Sequence, residues 1–217
     1  MVPMISQDSH ITISTLDTLM QDTWLLALAV RNGQSITVDD ALYQHCFSMV
    51  QQVQDKLNTA GAPDSLCDEI KFAHCVFLDE LIMTIPEADI SAWWRRTPLQ
   101  GHFLGHLNGG EHFYEHIKNL LREPAPSETL LVCYQRMLKF GYSGKYRVEN
   151  DTERQSLLQQ LEKRLPEVAQ MDAHWDIVRC SGPAEMHWWR SPQMAFVSLL
   201  LLTAGLWGGL RLFLLTQ

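Results

Sequence analysis

Apolar positions between residues 14 and 166 recur at intervals of three and four, the period of a helix with one buried face. The first run places Leu16, Leu19, Met20, Thr23, Ala27 and Val30 on one stripe, opened by a hydroxyl cap at Ser14 or Thr15 and closed by Asn32-Gly33. The second starts near Thr37, with Asp39 and Asp40 favouring the positive end of the helix dipole, and ends at Gly61. Its stripe is Leu42, Cys46, Met49/Val50, Val53 and Leu57. Pro63 opens a third helix that runs to about Ile85, before Pro86. Between Phe72 and Ile85 its polar residues are His74, Asp79, Glu80 and Thr84. A helix apolar on most faces belongs at the centre of a bundle.

The segment after Pro86 is irregular, with Trp93-Trp94 beside Arg95-Arg96, and a short helix is predicted over 98–107. Gly109-Gly110 separates it from a helix over 111–122, built on Phe113, Ile117, Leu120 and Leu121. Ser127 caps the next, with Leu130, Tyr134, Met137 and Leu138 inward, and Gly141 closes it. The last begins after Asn150 and runs through Leu157, Leu158, Leu161 and Leu165 to Pro166. No strand-like alternation of useful length interrupts this pattern. The expectation is an all-α domain of about seven helices over residues 14–166, preceded by a flexible N-terminus at 1–13.

The pattern then changes. Residues 167–192 read as a less regular tether, and residues 193–215 as a transmembrane anchor. Met194 to Leu210 carry no charge, Arg211 interrupts, and Leu212 to Leu215 continue the apolar run. Roughly 20 residues at ~1.5 Å each cross a hydrocarbon core. Trp188 and Trp189 precede the run, where amphipathic rings favour the headgroup level. Ala204/Gly208 and Gly205/Gly209 are small residues at helical spacing, which favours helix pairing in lipid and points to a homodimer. With no signal-like run at the start, the anchor predicts a single-pass protein with a cytoplasmic N-terminal domain and a short stub across the membrane.

Charge narrows the partners. Outside the anchor, 16 basic residues face 25 acidic ones, a net of −9. Such a domain is not built to bind nucleic acid, and its partners are expected to be proteins. The five cysteines contain no C-x-x-C pair, and four sit in helical patterns, which fits reduced thiols in the cytosol.

Three motifs could carry chemistry. His102/His106 and His112/His116 are pairs four residues apart that could share a helix face and chelate a metal. The interleaved glutamates lack the H-E-x-x-H order that sets a general base beside zinc, so metal binding is the alternative reading and no cofactor is expected. Gly141-Tyr-Ser-Gly144-Lys145 lacks the spacing of a phosphate loop and follows a helix, so it reads as a cap and turn. Asp79-Glu80 places two carboxylates about 100° apart on an apolar helix, a poor geometry for a shared-proton dyad and a costly one unless each finds a partner. They either pair locally or form an acidic docking feature.

FAHCVFLDELIM (Phe72 to Met83), the WW-R-x-x-P-L segment (Trp93 to Leu99), GGEHFYEHIKNLLREP (Gly109 to Pro124) and LKFGYSGKYRV (Leu138 to Val148) closely resemble the DotU/TssL family of type VI secretion, related to the IcmH/DotU proteins of type IVB systems. The resemblance covers roughly residues 15–215. It implies a hook of two three-helix bundles on one C-terminal span in the bacterial inner membrane. It also implies a non-enzymatic scaffold, with neither catalytic residues nor a small-molecule substrate. The implied partners are a TssM/IcmF-like inner-membrane protein, a TssJ-like lipoprotein reached through the complex, and a TssK-like baseplate protein. The family's acidic pair falls on Asp79 and Glu80, with partner contacts or shaping of a cleft as the expected role. Its glycine turn falls on Gly141, Gly144 and Tyr146, expected to be structural.

Overall fold

The computed structural model describes residues 12–85, 94–146 and 151–165. The chain divides into two units, Met1–Trp175 and Asp176–Gln217, and all described residues belong to the first. Among them are eight α-helices and no strand: α1 (Ile13–Leu19), α2 (Gln21–Arg31), α3 (Asp40–Thr59), α4 (Asp64–Met83), α5 (Leu99–Phe103), α6 (Gly109–Arg122), α7 (Glu128–Lys139) and α8 (Thr152–Arg164). A single 3-10 turn, Gly144–Tyr146, lies between α7 and α8.

Local chemistry sets the boundaries, and several differ from the pattern-based expectation. The first apolar run is two helices, because the chain bends at Met20 (φ −95°, ψ 7°). Periodicity hides this bend, since Leu16, Met20 and Trp24 all remain on the buried side across it. The cap of α1 is Thr12, whose hydroxyl accepts from the Thr15 amide, so the helix starts at Ile13. Asp39, not Thr37, caps α3 by accepting from the Leu42 amide at 2.9 Å. Asp151 caps α8 in place of Asn150. Helix α5 is shorter than predicted, and Gly105, at φ 74°, follows it.

Gly109 and Gly110 form the first turn of α6 instead of separating two helices. A Cβ on Gly109 would lie 2.3 Å from Val76 Cγ2, so this glycine lets α6 approach α4 closely.

Helix α4 is the axis, touching α2, α3, α5, α6 and α7. It feeds two hydrophobic clusters. Phe72, Phe77 and Leu81 enter the larger one with side chains from α1, α2, α3, α6, α7 and α8. Cys75, Leu78 and Ile82 enter the smaller one with Val38, Cys46, Met49, Val50, Trp94 and Leu99. Serving two cores explains why α4 is apolar nearly all round. Each large side chain so buried contributes about 1.5–3 kcal/mol.

The predicted tether at 167–192, the anchor at 193–215 and the small residues Ala204, Gly205, Gly208 and Gly209 lie outside the described residues. Among the described residues no helix is long and apolar enough to cross a membrane.

Candidate functional site

Asp79 and Glu80 sit in the last two turns of α4, and their side chains diverge into different tasks. Asp79 is 5 % exposed. Its Oδ1 accepts from Trp94 Nε1 at 2.8 Å and the Leu99 amide at 2.9 Å. Its Oδ2 accepts from the Gln100 amide at 2.9 Å and Gln100 Nε2 at 3.0 Å. Four N–H donors fill the acceptor capacity of a carboxylate. Leu99 and Gln100 open α5, whose N-cap Pro98 supplies no side-chain acceptor. Asp79 therefore caps α5 from another helix. Gln100 Oε1 in turn accepts from the Gly109 amide at 3.0 Å, which ties α4, α5 and α6 together. Burial pushes the Asp79 carboxyl above its ordinary value, against the pull of the four hydrogen bonds. Those donors leave no acceptor for a carboxyl proton, so the group stands as the anion.

Glu80 turns to the glycine segment after α7. Its Oε1 accepts from the Ser143 amide at 2.6 Å and its Oε2 from the Gly144 amide at 2.7 Å. Burial raises its carboxyl as well, opposed by these two bonds and by the charge of Arg154. The turn's carbonyls have cationic partners. Buried Arg154 donates through Nε to the Tyr142 carbonyl at 2.8 Å and through Nη2 to the Leu138 carbonyl, while Arg31 donates to the Lys139 carbonyl at 2.8 Å. Cations thus sit at the negative end of α7 and an anion on the amides that follow.

Gly141 (φ 102°) and Gly144 (φ 53°) adopt left-handed backbone. A Cβ on Gly144 would lie 2.9 Å from Tyr142 Cε1 and 3.0 Å from Tyr114 Cε2. Tyr114 donates to the Ser143 carbonyl at 2.8 Å and stands edge-on to Tyr146, with 4.4 Å between ring centroids.

Beside this turn lies a groove of about 400 Å³. Its apolar lining comes from Val30, Ile36, Phe77, Leu81, Ile85, Phe140 and Tyr142, with Arg31, Gln34, Ser35, Glu80 and Thr84 as polar members. Asp79 is not among the lining residues.

The four histidines take different partners, although His106 and His116 both lie against the Phe72 ring. His102 packs its ring on Phe47 and Phe103, and His106 is exposed, 6.4 Å from Phe72 between centroids. His112 bonds the Asn108 carbonyl through Nδ1. His116 stacks on Phe72 at 4.1 Å and bonds Glu69 through Nδ1 at 2.9 Å. Burial opposes the Glu69 carboxylate, yet hydrogen bonds from His116 and Tyr134 outweigh it and hold the group below its ordinary value. Among the described residues no three His, Cys, Asp or Glu side chains come together as a metal site.

Sequence reasoning missed Trp94 and Gln100 as partners of Asp79, and Arg31 and Arg154 as partners of the turn. Trp94 and Arg154 did carry a signal: a tryptophan beside two arginines, and a lone arginine on the otherwise leucine-lined stripe of α8, each calling for a buried polar contact.

The family described as Type VI secretion system protein DotU matches residues 15–213, nearly the whole chain. The chain belongs to the DotU family. It is similar in structure to SciP/TssL from enteroaggregative Escherichia coli 042, at 32 % identity and a TM-score of 0.63, over 71 % of this chain and 89 % of that one. The cytoplasmic domain of TssL from Acinetobacter baumannii shares the fold, at 21 % identity and a TM-score of 0.61, over 69 % of this chain and 95 % of that one. No curated protein matches. Family membership makes the chain a type VI secretion component.

Proposed function

We propose that the chain is a non-enzymatic scaffold of a type VI secretion system, anchored in the bacterial inner membrane by residues 193–215. The reading rests chiefly on the family match, which runs unbroken from the helical domain through the uncharged run Met194 to Leu210. In this reading the helical domain faces the cytoplasm as a hook of two three-helix bundles. It joins an envelope complex with a TssM/IcmF-like protein and a TssJ-like lipoprotein to a TssK-like baseplate protein. The small residues Ala204, Gly205, Gly208 and Gly209 support a homodimer through the span.

Asp79 and Glu80 serve docking by different routes. Asp79, saturated by four donors, acts through the placement of α5. Glu80 acts through the glycine turn and the wall of the groove. Cell fractionation tests the anchor. The full chain should stay with membranes through an alkaline wash, and a cysteine added after Gln217 should react with a membrane-impermeant thiol reagent in intact spheroplasts. Release by the wash, or a shielded terminal cysteine beside a reactive helical domain, contradicts the proposed topology.

A further inference from the structure

The two acidic neighbours differ in what they have left to offer. Asp79 has all four acceptor places filled and lies outside the groove. Glu80 uses one place on each oxygen, for the Ser143 and Gly144 amides, and contributes to the groove wall. A carboxylate accepts about four hydrogen bonds, so Glu80 keeps roughly two lone-pair positions open. No cation bonds it directly among the described residues. Arg154 acts on it through space, while the Arg154 Nε and Nη2 groups reach for the carbonyls of Tyr142 and Leu138. The groove thus presents an apolar floor, including Phe77, Leu81 and Phe140, beside a half-satisfied carboxylate, while the cation in its lining, Arg31, donates to the Lys139 carbonyl. An apolar occupant is favoured by the floor, and a donor, above all a cationic one, by the wall.

We infer that this groove receives a segment of a partner protein carrying an apolar anchor and, within one helical turn of it, a lysine or arginine that bonds Glu80. The inference rests on the docking role proposed above and supplies the chemistry of the occupant. The net charge of −8 on the whole chain favours the same sign of partner. Asp79, by the same count, makes no direct contact with that segment.

The test uses the full chain in detergent micelles and three fluorescein-labelled helical dodecapeptides. Each carries one leucine anchor, followed four residues on by Arg, Gln or Glu, and binding is read by fluorescence polarisation. The arginine peptide is expected to bind about tenfold more tightly than the glutamate peptide at low salt, with the glutamine peptide between them. Glu80→Gln should reduce that preference to within twofold while the glutamine peptide binds as before. Because Glu80→Gln also disturbs the turn, Thr84→Trp provides a second arm. It fills the groove without removing a Glu80 bond and should abolish binding of all three peptides.

Equal affinities for the three peptides overturn the inference, as does a preference that survives Glu80→Gln or binding that survives Thr84→Trp. A self-association that Thr84→Trp removes in sedimentation, without peptide binding, makes the occupant a second copy and also overturns it. If the peptides discriminate as expected but the chain captures no secretion component from cells, the groove chemistry stands and the scaffold role falls. If the chain captures secretion components but the peptides do not discriminate, the scaffold role stands and the groove chemistry falls.

Discussion

Asp79→Asn removes one oxygen from a carboxylate that holds four donors, and the consequence can be worked from the geometry. If the amide nitrogen replaces Oδ2, it faces the Gln100 amide and Gln100 Nε2, which now meet a donor. If it replaces Oδ1, Trp94 Nε1 and the Leu99 amide lose their acceptor. Either rotamer breaks two hydrogen bonds to a buried anion, each contributing about 1.5–3 kcal/mol. Removing the carboxylate's desolvation cost returns part of this, so a net loss of about 2–4 kcal/mol is expected. Most of it should fall locally. Helix α5 has only five residues and no side-chain cap of its own, so it cannot hold its first turn without Asp79. Hydrogen exchange resolved by mass spectrometry should show residues 94–104 losing protection by roughly one to two orders of magnitude, while residues 141–146 stay unchanged. Glu80→Gln should give the reverse map. Protection of α5 that is unaltered in Asp79→Asn, with stability within about 0.5 kcal/mol of wild type, would refute the capping argument.

Gly144→Ala must adopt a left-handed backbone and press its Cβ on two tyrosine rings, for an expected loss of about 2–4 kcal/mol in thermal or denaturant unfolding. Gly33→Ala is the control, since Gly33 has a similar φ of 67° with nothing within 4 Å of the added Cβ, and it should cost about 1–2 kcal/mol. His74 is fully buried, and desolvation lowers it from 6.5 to about 3. Its Nε2 is shared with Thr23 Oγ1 at 2.7 Å, and its Nδ1 has no hydrogen-bond partner among the described residues. The unfolded chain therefore takes up a proton below about pH 6.5 that the folded chain refuses, so this contribution is complete above pH 6.5 and declines as pH falls toward 3. The decline should approach about 1.4 kcal/mol per pH unit at its steepest. Denaturant unfolding of His74→Leu between pH 7 and 4 should show a shallower decline than wild type, and parallel curves would contradict the assignment.

Much of this fold is legible in the residue pattern because each helix announces itself chemically. Ser127 and the stripe of α7, Pro63 and the apolar length of α4, and Gly61 and Gly141 as stops all act within a few residues of themselves. The misplaced boundaries have another origin. The bend at Met20 preserves the stripe, and Gly109 answers to Val76 on a different helix, so neither leaves a local trace. The site divides the same way. Two adjacent carboxylates on an apolar helix stand out in the sequence, and the need for partners follows from burial alone. Which partners they find depends on contacts 20 residues away for Leu99 and 63 for Ser143, and no spacing rule reaches that far. The histidine pairs illustrate the converse. Helical spacing put His112 and His116 on one face, but His116 is engaged by Glu69 and Phe72, which α4 brings against it.

The most direct test of the central claim is affinity purification of the full chain from its native cells after mild solubilisation, with associated proteins identified by mass. The wild-type chain should bring down both an inner-membrane secretion protein and baseplate proteins. Asp79→Asn should keep the membrane partner and lose most of the baseplate. Purification that yields no secretion components with the wild-type chain would contradict the account.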